Sequence, residues 1–307
     1  MYLKKAFCIF ISFALIASMT ACTGTGNDRQ EAGSDPTIEA TQETAPTLAD
    51  PADPTYYHKM VVLGDSIAHG YGLSDLENTR YSALIEARMQ LLPCAFESYN
   101  LAVDGATSTD MLELLSGGIP QLAGADLVVI SIGANNILRV SAPLLEQYIN
   151  GNRQEVLTLL SSDKFKADLQ SGIEQLNADI PVIIDRIKES APNADILFQT
   201  VYNPFKGARI SYSIGNEIQT MSFGDEIGVY VEQLNAHIRE NAASNGYSVA
   251  DVYNAFENSD ENLVNVVLGV NSSMTNEVDP HPNANGHVAI ADVITETLRT
   301  LGRHIPE

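Results

Sequence analysis

Two short motifs at opposite ends of the sequence carry side chains that could together perform nucleophilic catalysis. Ser66 ends the tripeptide Gly-Asp-Ser, and His281 lies two residues after Asp279 in a proline-rich loop. A serine hydroxyl is a weak nucleophile until a base removes its proton, and a histidine next to a carboxylate can act as that base near neutral pH. Each motif alone also fits a structural role, Ser66 as a helix N-cap and His281 as a loop histidine in a local ion pair.

The elements around these motifs alternate between apolar runs and helical patterns. The strongest apolar runs are residues 60–63, 127–132 and 196–201, and weaker strand candidates are residues 97–102 and 248–252. Such runs indicate strands buried on both faces, as in a parallel sheet. Helical patterns occupy residues 80–92, 165–190, 226–244 and 286–301, and another helix begins at Ser108. The alternation predicts an α/β fold, a three-layer α/β/α sandwich with a mostly parallel five-stranded sheet.

Functional sites in such sheets collect at the carboxyl ends of the strands, so the loops after the strands are where chemistry is expected. Residues 140–163 and 206–224 have less regular patterns. We interpret these two segments as insertions that shape a substrate cleft or a lid.

Four blocks of the sequence together resemble the SGNH/GDSL hydrolase family. They contain Ser66 in Gly-Asp-Ser, Gly105 in Asn-Leu-Ala-Val-Asp-Gly, Asn135 in Gly-Ala-Asn-Asn, and His281 in Asp-Pro-His. The first three blocks each follow a predicted strand, and the resemblance extends over about residues 60–301. It implies a flavodoxin-like SGNH hydrolase fold and a serine esterase or lipase activity.

The resemblance also implies a role for each of these residues. Ser66 would attack an ester carbonyl and form an acyl-serine intermediate, with His281 as the base. The backbone N–H groups of Ser66 and Gly105 and the side-chain amide of Asn135 would form the oxyanion hole. Glycine suits position 105 because close approach of the backbone tolerates no side chain.

The sequence departs from the family pattern at two positions. Asn136 stands where the third block usually has aspartate, and we expect a local rearrangement there. The acid of the family usually lies three residues before the histidine, where this chain has Val278, whereas Asp279 lies two residues before. Either Asp279 still reaches the imidazole of His281, or a backbone carbonyl near Val278 orients it; we favour Asp279.

Other polar residues near the motifs have simpler interpretations. Asp65 is expected to accept hydrogen bonds within its turn, and His69 and His287 to start helices or pack. The His and Asp spacings match no recognised zinc or two-metal site, and the nucleotide-binding glycine motifs are not found in the sequence. We therefore predict that the protein uses no cofactor. The formal net charge of −22 excludes a nucleic-acid partner.

The N-terminus resembles a bacterial lipoprotein signal. A basic start precedes the apolar run 6–17, and small residues lead into Cys22, which would carry the lipid. The predicted organisation is a signal peptide at 1–21, a disordered tether at 22–55 and the catalytic domain at 56–307. The protein is therefore expected to be exported and anchored to the membrane of the envelope or cell surface. Ordinary secretion without the lipid is the alternative, because Met19 stands where a lipoprotein signal usually has leucine.

The motifs do not distinguish between ester substrates. Lipid acyl groups, O-acetyl groups on glycans and small-molecule esters are all open, and chain length cannot be deduced from the sequence. The rival hypothesis is a surface-tethered binding lipoprotein on a catalytically degraded scaffold. A degraded site would more often have lost Ser66, Asn135 or His281, and all three are present, so an enzyme is favoured.

Overall fold

The computed structural model describes residues 53–275 and 278–307, which form seven strands and eleven α-helices. The strands are β1 (Lys59–Gly64), β2 (Glu97–Asn100), β3 (Leu127–Ser131), β4 (Asp195–Gln199), β5 (Arg209–Ile214), β6 (Glu217–Ser222) and β7 (Ser248–Ala250). The helices are α1 (Ser66–His69), α2 (Leu76–Thr79), α3 (Tyr81–Met89), α4 (Ser108–Ser116), α5 (Ala134–Ile149), α6 (Arg153–Ser161), α7 (Asp163–Ser190), α8 (Phe223–Glu240), α9 (Ala242–Asn245), α10 (Val252–Glu257) and α11 (Ala284–Thr300), with 3₁₀ turns at Pro120–Leu122 and Val270–Ser272.

Five of the strands form one parallel sheet in the order β2-β1-β3-β4-β7. Successive strand residues point to opposite faces, so the apolar runs supply two cores. Val61 and Leu63 pack with apolar residues of α4, α5, α7 and α8, whereas Met60 and Val62 pack with those of α3, α10 and α11. The predicted three-layer α/β/α sandwich is confirmed.

The strand order reverses between β1 and β3. The chain runs from β1 outward to β2, then returns past β1 to form β3 on its other side. The carboxyl ends of these strands therefore open around a crevice, and the segments that follow β1, β2 and β3 converge there.

The two less regular segments are more ordered than the sequence suggested. Residues 140–163 continue α5 and then form α6. Residues 206–224 contain an antiparallel hairpin of β5 and β6, which lies outside the main sheet. Within the described part of the chain, none of the helices combines the length and the apolar character needed to cross a membrane.

The predicted signal peptide (1–21), the lipidation site Cys22 and nearly all of the predicted tether (22–55) lie outside the described residues. The last residues of that tether are described, and the carbonyl of Thr55 accepts a hydrogen bond from the backbone N–H of His304 at 3.1 Å. Cys94 is half-buried and packs against the core on the α3 and α11 side of the sheet.

Candidate active site

Ser66 is the first residue of α1 and follows the end of β1 by two positions. The end of β1, where this turn begins, packs closely against β3. A Cβ atom on Gly64 would lie only 2.5 Å from the carbonyl oxygen of Ser131 in β3, so glycine is needed there. Asp65 caps α1 by accepting the N–H of Ile67 on Oδ1 at 3.0 Å. The N–H of Ser66 has no partner within the helix, because it belongs to the first turn.

His281 lies against Ser66 although 215 positions separate them. The Nε2 atom of His281 is 2.9 Å from the Oγ of Ser66. Two contacts hold the loop that carries His281. The backbone carbonyl of His281 accepts a hydrogen bond from the N–H of Asn265 at 2.9 Å, and Asn283, two residues after His281, caps α11. The imidazole is mostly shielded, with 16% of the side chain exposed.

Asp279 contacts the other nitrogen of the same imidazole. Its Oδ1 lies 2.6 Å from Nδ1 of His281 and also accepts the backbone N–H of His281 at 3.1 Å. Its Oδ2 accepts from the side-chain amide of Asn265 at 3.1 Å. Val278, at the usual position of the family acid, packs against the hydrophobic core instead. The three side chains of Asp279, His281 and Ser66 thus form one continuous hydrogen-bonded path.

Gly105 and Asn135 lie on the β2 and β3 sides of the same crevice. Asn135 is buried near the start of α5, and its Nδ2 donates to the carbonyl of Ala106 at 3.0 Å, next to Gly105. A Cβ on Gly105 would meet no protein atom within 4 Å, so no neighbouring atom of the protein requires glycine there. The reason is the backbone, because φ of Gly105 is +75°, which side-chain-bearing residues rarely adopt.

Asn136 stands where the family usually has aspartate, and its side-chain amide both accepts and donates hydrogen bonds. Its Oδ1 accepts the N–H of Ser108, and its Nδ2 donates to the Oγ of Ser108 and to the carbonyl of Gly172 at 3.2 Å. A carboxylate could not donate to that carbonyl. It would also add a second negative charge beside Asp179, whose carboxylate already accepts from the Oγ of Ser108 at 2.7 Å.

His69 and His287 do not contact the Ser66 hydroxyl. The Nδ1 of His69 lies 2.7 Å from Oδ1 of Asp104 at the surface. His287 is fully buried, and its Nδ1 accepts the N–H of Tyr81 at 3.3 Å. Burial, with a smaller contribution from the charge of His281, lowers the pKa of His287 to about 4. His287 is therefore neutral at physiological pH and packs inside the fold.

Asp65 is a buried carboxyl group next to Ser66, and its burial perturbs its ionisation. Burial raises the pKa of Asp65 to about 7, because the hydrogen bonds from the N–H groups of Ile67 and of Asp65 itself offset only part of the desolvation. Asp65 is 1% exposed. Its protonated form is thus favoured in the folded state over a pH range in which an unfolded chain would already have ionised it.

This pKa contributes a component of stability that falls as pH rises from about 4 to about 7, whereas the lowered pKa of His287 contributes a component that rises over much of the same range. Below its ordinary pKa of 3.8, Asp65 is protonated in both folded and unfolded states. Above about 7 it is ionised in both states and the full burial penalty applies, about 4 kcal/mol at about 1.4 kcal/mol per pH unit. Asp65→Asn should remove this component, which urea unfolding between pH 4 and 8 would measure. An unchanged slope in the variant, with exposed Asp185→Asn as the control, would contradict the prediction.

An apolar cleft opens next to Ser66 and His281, with an empty space of about 550 Å³ that is partly open to solvent. Its walls come from α5, α8 and the loop after β4. The apolar lining includes Ile137, Leu138, Val201, Phe205, Ile227 and Val231. Among the described residues, no three His, Cys, Asp or Glu side chains are grouped so that they could hold a metal ion.

A family model described as GDSL-like Lipase/Acylhydrolase matches residues 62–289, which include Ser66, Gly105, Asn135 and His281. The sequence is 23% identical over 250 residues to the uncharacterised protein YpmR of Bacillus subtilis (strain 168). That match covers 79% of this chain and 82% of YpmR.

Solved structures share the fold. An extracellular lipase from Streptomyces rimosus aligns with a TM-score of 0.55 and 22% identity, over 78% of this chain and 99% of that one. Phospholipase A1 from Streptomyces albidoflavus NA297 aligns with a TM-score of 0.54 and 19% identity over the same shares. A lipase from a goat rumen metagenome aligns with a TM-score of 0.54 and 17% identity, over 78% of this chain and 97% of that one.

Proposed function

The chain belongs to the GDSL-like lipase/acylhydrolase family, and from this premise we propose that it hydrolyses carboxylic esters with Ser66 as the nucleophile and His281 as the base. The observation that carries the proposal is the hydrogen-bonded path from Asp279 through His281 to Ser66, which ends at the mouth of an apolar cleft. The reaction needs no cofactor, because the side chains, the ester and water supply every proton and electron pair.

In the first step, the Oγ of Ser66 attacks the ester carbonyl while Nε2 of His281 takes its proton. The carbonyl electron pair moves to the oxygen, which becomes an oxyanion. The N–H groups of Ser66 and Gly105 and the Nδ2 of Asn135 would donate to it. As the tetrahedral intermediate collapses, His281 returns the proton to the leaving alcohol and the acyl group remains on Ser66.

In the second step, water replaces the alcohol. His281 takes a proton from the water, whose oxygen attacks the acyl carbonyl and forms a second oxyanion. Collapse breaks the bond between the acyl carbon and Oγ, releases the carboxylic acid and returns the proton to Ser66. Throughout, Asp279 would hold the Nδ1–H of His281, which keeps Nε2 free as the proton acceptor.

The cleft supports an acyl chain longer than acetyl as the group transferred to Ser66. Ala134 and Ser141 both line the cleft and lie two turns apart on α5, so the lining extends about 10 Å along the helix. An acetyl group would leave most of this apolar surface in contact with water. We therefore propose a lipid acyl ester or a related small-molecule ester, in preference to an O-acetyl glycan.

Chain length tests both the activity and the cleft. The protein should hydrolyse p-nitrophenyl octanoate with a higher kcat/KM than p-nitrophenyl acetate, and a fluorophosphonate probe should label Ser66. Ser141→Leu would direct a larger side chain into the cleft. It should lower kcat/KM for octanoate about tenfold, because roughly two methylene groups of the acyl chain would no longer be buried, at about 0.8 kcal/mol of binding free energy each.

Acetate serves as the internal control for this variant, since its short acyl group does not reach Ser141. A loss on acetate equal to that on octanoate would mean that Ser141→Leu damages the site generally, and the cleft would not be the acyl site. A folded wild-type protein that neither turns over any ester nor reacts with the probe would refute the proposed activity and favour a binding protein.

We further propose that the protein is an exported lipoprotein held to the membrane through Cys22, with residues 22–55 as the tether to the catalytic domain at 56–307. The support is the signal-like sequence at 1–21, which ends in small residues before the cysteine. In cells, Cys22→Ala should move the protein from the membrane fraction to the soluble fraction. Retention of the variant in the membrane fraction would contradict lipid anchoring.

A further inference from the structure

The turn that carries Gly105 has a conformation that decides where its N–H points. It spans residues 103–106, and the N–H of Ala106 donates to the carbonyl of Val103 at 3.0 Å. Gly105 has φ of +75°, whereas Asp104 is outside the positive-φ region. This combination defines a type II turn.

The N–H proposed to bind the oxyanion belongs to the central peptide of this turn, between Asp104 and Gly105. Conversion to a type I turn changes ψ of the residue before that peptide and φ of the residue after it by roughly 150–170° each. The plane of this peptide would flip, and its N–H would point to the opposite face of the turn. Stabilisation of the oxyanion therefore depends on the type II form, which glycine permits at this position, and on the contacts that hold the turn against the rest of the site.

Two side chains hold the residues on either side of this central peptide. His69, at the end of α1, contacts Asp104 through Nδ1 and Oδ1 at 2.7 Å. Arg139, on α5, donates from Nη2 to the carbonyl of Gly105 at 2.7 Å and to Oδ2 of Asp110 at 2.9 Å. Helix α1 begins with Ser66, and Asn135 lies one turn before Arg139 on α5. The Gly105 turn is thus tied to the two helices that carry the other proposed oxyanion donors.

The remaining contacts of the turn hold only its ends. The N–H of Val103 donates to the carbonyl of Gly64 at 2.9 Å, and Nδ2 of Asn135 donates to the carbonyl of Ala106 at 3.0 Å. Neither group belongs to the central peptide or changes position when that peptide turns over. Both contacts are therefore compatible with either turn type.

The carbonyl of Gly105 and the side chain of Asp104 also stay in place when the peptide flips. Arg139 and His69 therefore do not select the turn type. They fix the position of the turn relative to α5 and α1.

We propose that Arg139 and the Asp104–His69 pair are positioning residues that hold the Gly105 turn in place against α5 and α1 and so aim the Gly105 N–H at the oxyanion, an inference that rests on the proposed function. The side chains of Arg139, Asp104 and His69 are 58%, 45% and 43% exposed. Pairs this exposed contribute little to stability. Removing them should therefore lower turnover while the protein still folds.

A double-mutant cycle on the full-length protein tests this coupling. Gly105→Ala disfavours the positive φ and should lower kcat about 100-fold, the typical effect of losing one oxyanion donor. Arg139→Met should lower kcat about tenfold with KM within about twofold, because the donor matters mainly in the transition state. In the Gly105→Ala background, Arg139→Met should cause no further loss.

The matched control is Arg186→Met, which removes an equally charged, exposed side chain on α7 and should leave turnover unchanged. Losses that multiply in the double variant, or an Arg139→Met effect confined to KM, would overturn the inference. A wild-type protein without ester turnover would overturn the proposed function together with it. An active wild type with full activity in Arg139→Met would overturn the inference alone.

A second measurement is independent of how well Gly105→Ala folds. A trifluoromethyl ketone forms a tetrahedral adduct with an activated serine and places an oxyanion in the same hole. Its inhibition constant should rise in Arg139→Met, and also in Asp104→Asn, by the factor by which kcat/KM falls. An inhibition constant that stays at the wild-type value while kcat/KM falls would show that these residues act elsewhere.

Discussion

Ser66→Ala and His281→Ala should each lower kcat for ester hydrolysis by roughly 10⁴- to 10⁶-fold, and the double variant should be no worse than either single one. Without Ser66 the enzyme has no atom to carry the acyl group. Without His281, the hydroxyl of Ser66 loses the acceptor that lies 2.9 Å from it and remains a weak nucleophile.

The measurement is p-nitrophenyl octanoate turnover by the wild type, both single variants and the double variant. Ser244→Ala and His237→Ala are matched controls, because these residues lie on α9 and the end of α8 away from the cleft lining. Both controls should retain full activity. If Ser66→Ala kept more than a tenth of the wild-type rate, or if the single losses multiplied in the double variant, Ser66 and His281 would not act as one unit.

The strands of the main sheet were predictable because their signal is local. In a parallel sheet with helices on both faces every strand residue is covered, so β1 and β3 appear in the sequence as uninterrupted apolar runs. The four sequence blocks were predictable for a related reason. Each follows a strand end or opens a helix, and the parallel topology alone brings such ends to one edge of the sheet.

The segments that were interpreted as irregular carry misleading local signals. Pro143 lies inside α5, although a proline usually marks the end of a helix. The hairpin of β5 and β6 has mostly exposed side chains, including Ile214 and Ile218. Its strands pair with each other through the main chain and contribute little besides Ile210 and Met221 to the core, so the hydrophobic pattern that reveals core strands is weak there.

The supporting residues of the site left no signal in the sequence. Asn265 precedes Asp279 by 14 positions in a stretch between regular elements, and only the folded loop brings its amide to the carboxylate. Arg139 is an exposed helical arginine that sequence alone assigns to a solvated surface. The raised pKa of Asp65 depends on burial by residues distant in the chain. Contacts of this kind are set by tertiary packing and have no fixed spacing.

Asp279 is the position at which the sequence and the family pattern diverge, and its replacement gives the second large expected effect. Asp279→Ala should lower kcat by roughly 10³- to 10⁴-fold. The carboxylate oxygen lies 2.6 Å from Nδ1 of His281, so it fixes the tautomer in which Nε2 can accept the serine proton. Asp279→Asn should be at least as damaging, because its amide can donate to Nδ1 and favour the opposite tautomer.

The rival is a Ser–His dyad in which a backbone carbonyl near Val278 orients the ring. That arrangement predicts that Asp279→Ala stays within a few-fold of the wild type, with Asp185→Ala on the surface of α7 as the matched control. Asn265→Ala separates the two mechanisms further. In the wild type, Oδ2 of Asp279 accepts a hydrogen bond from Nδ2 of Asn265 at 3.1 Å, and this variant removes it. If the carboxylate orients His281, kcat should fall about tenfold. If a backbone carbonyl performs that task, the loss of the Asn265 amide should not change kcat, because the carboxylate it holds would have no part in the reaction.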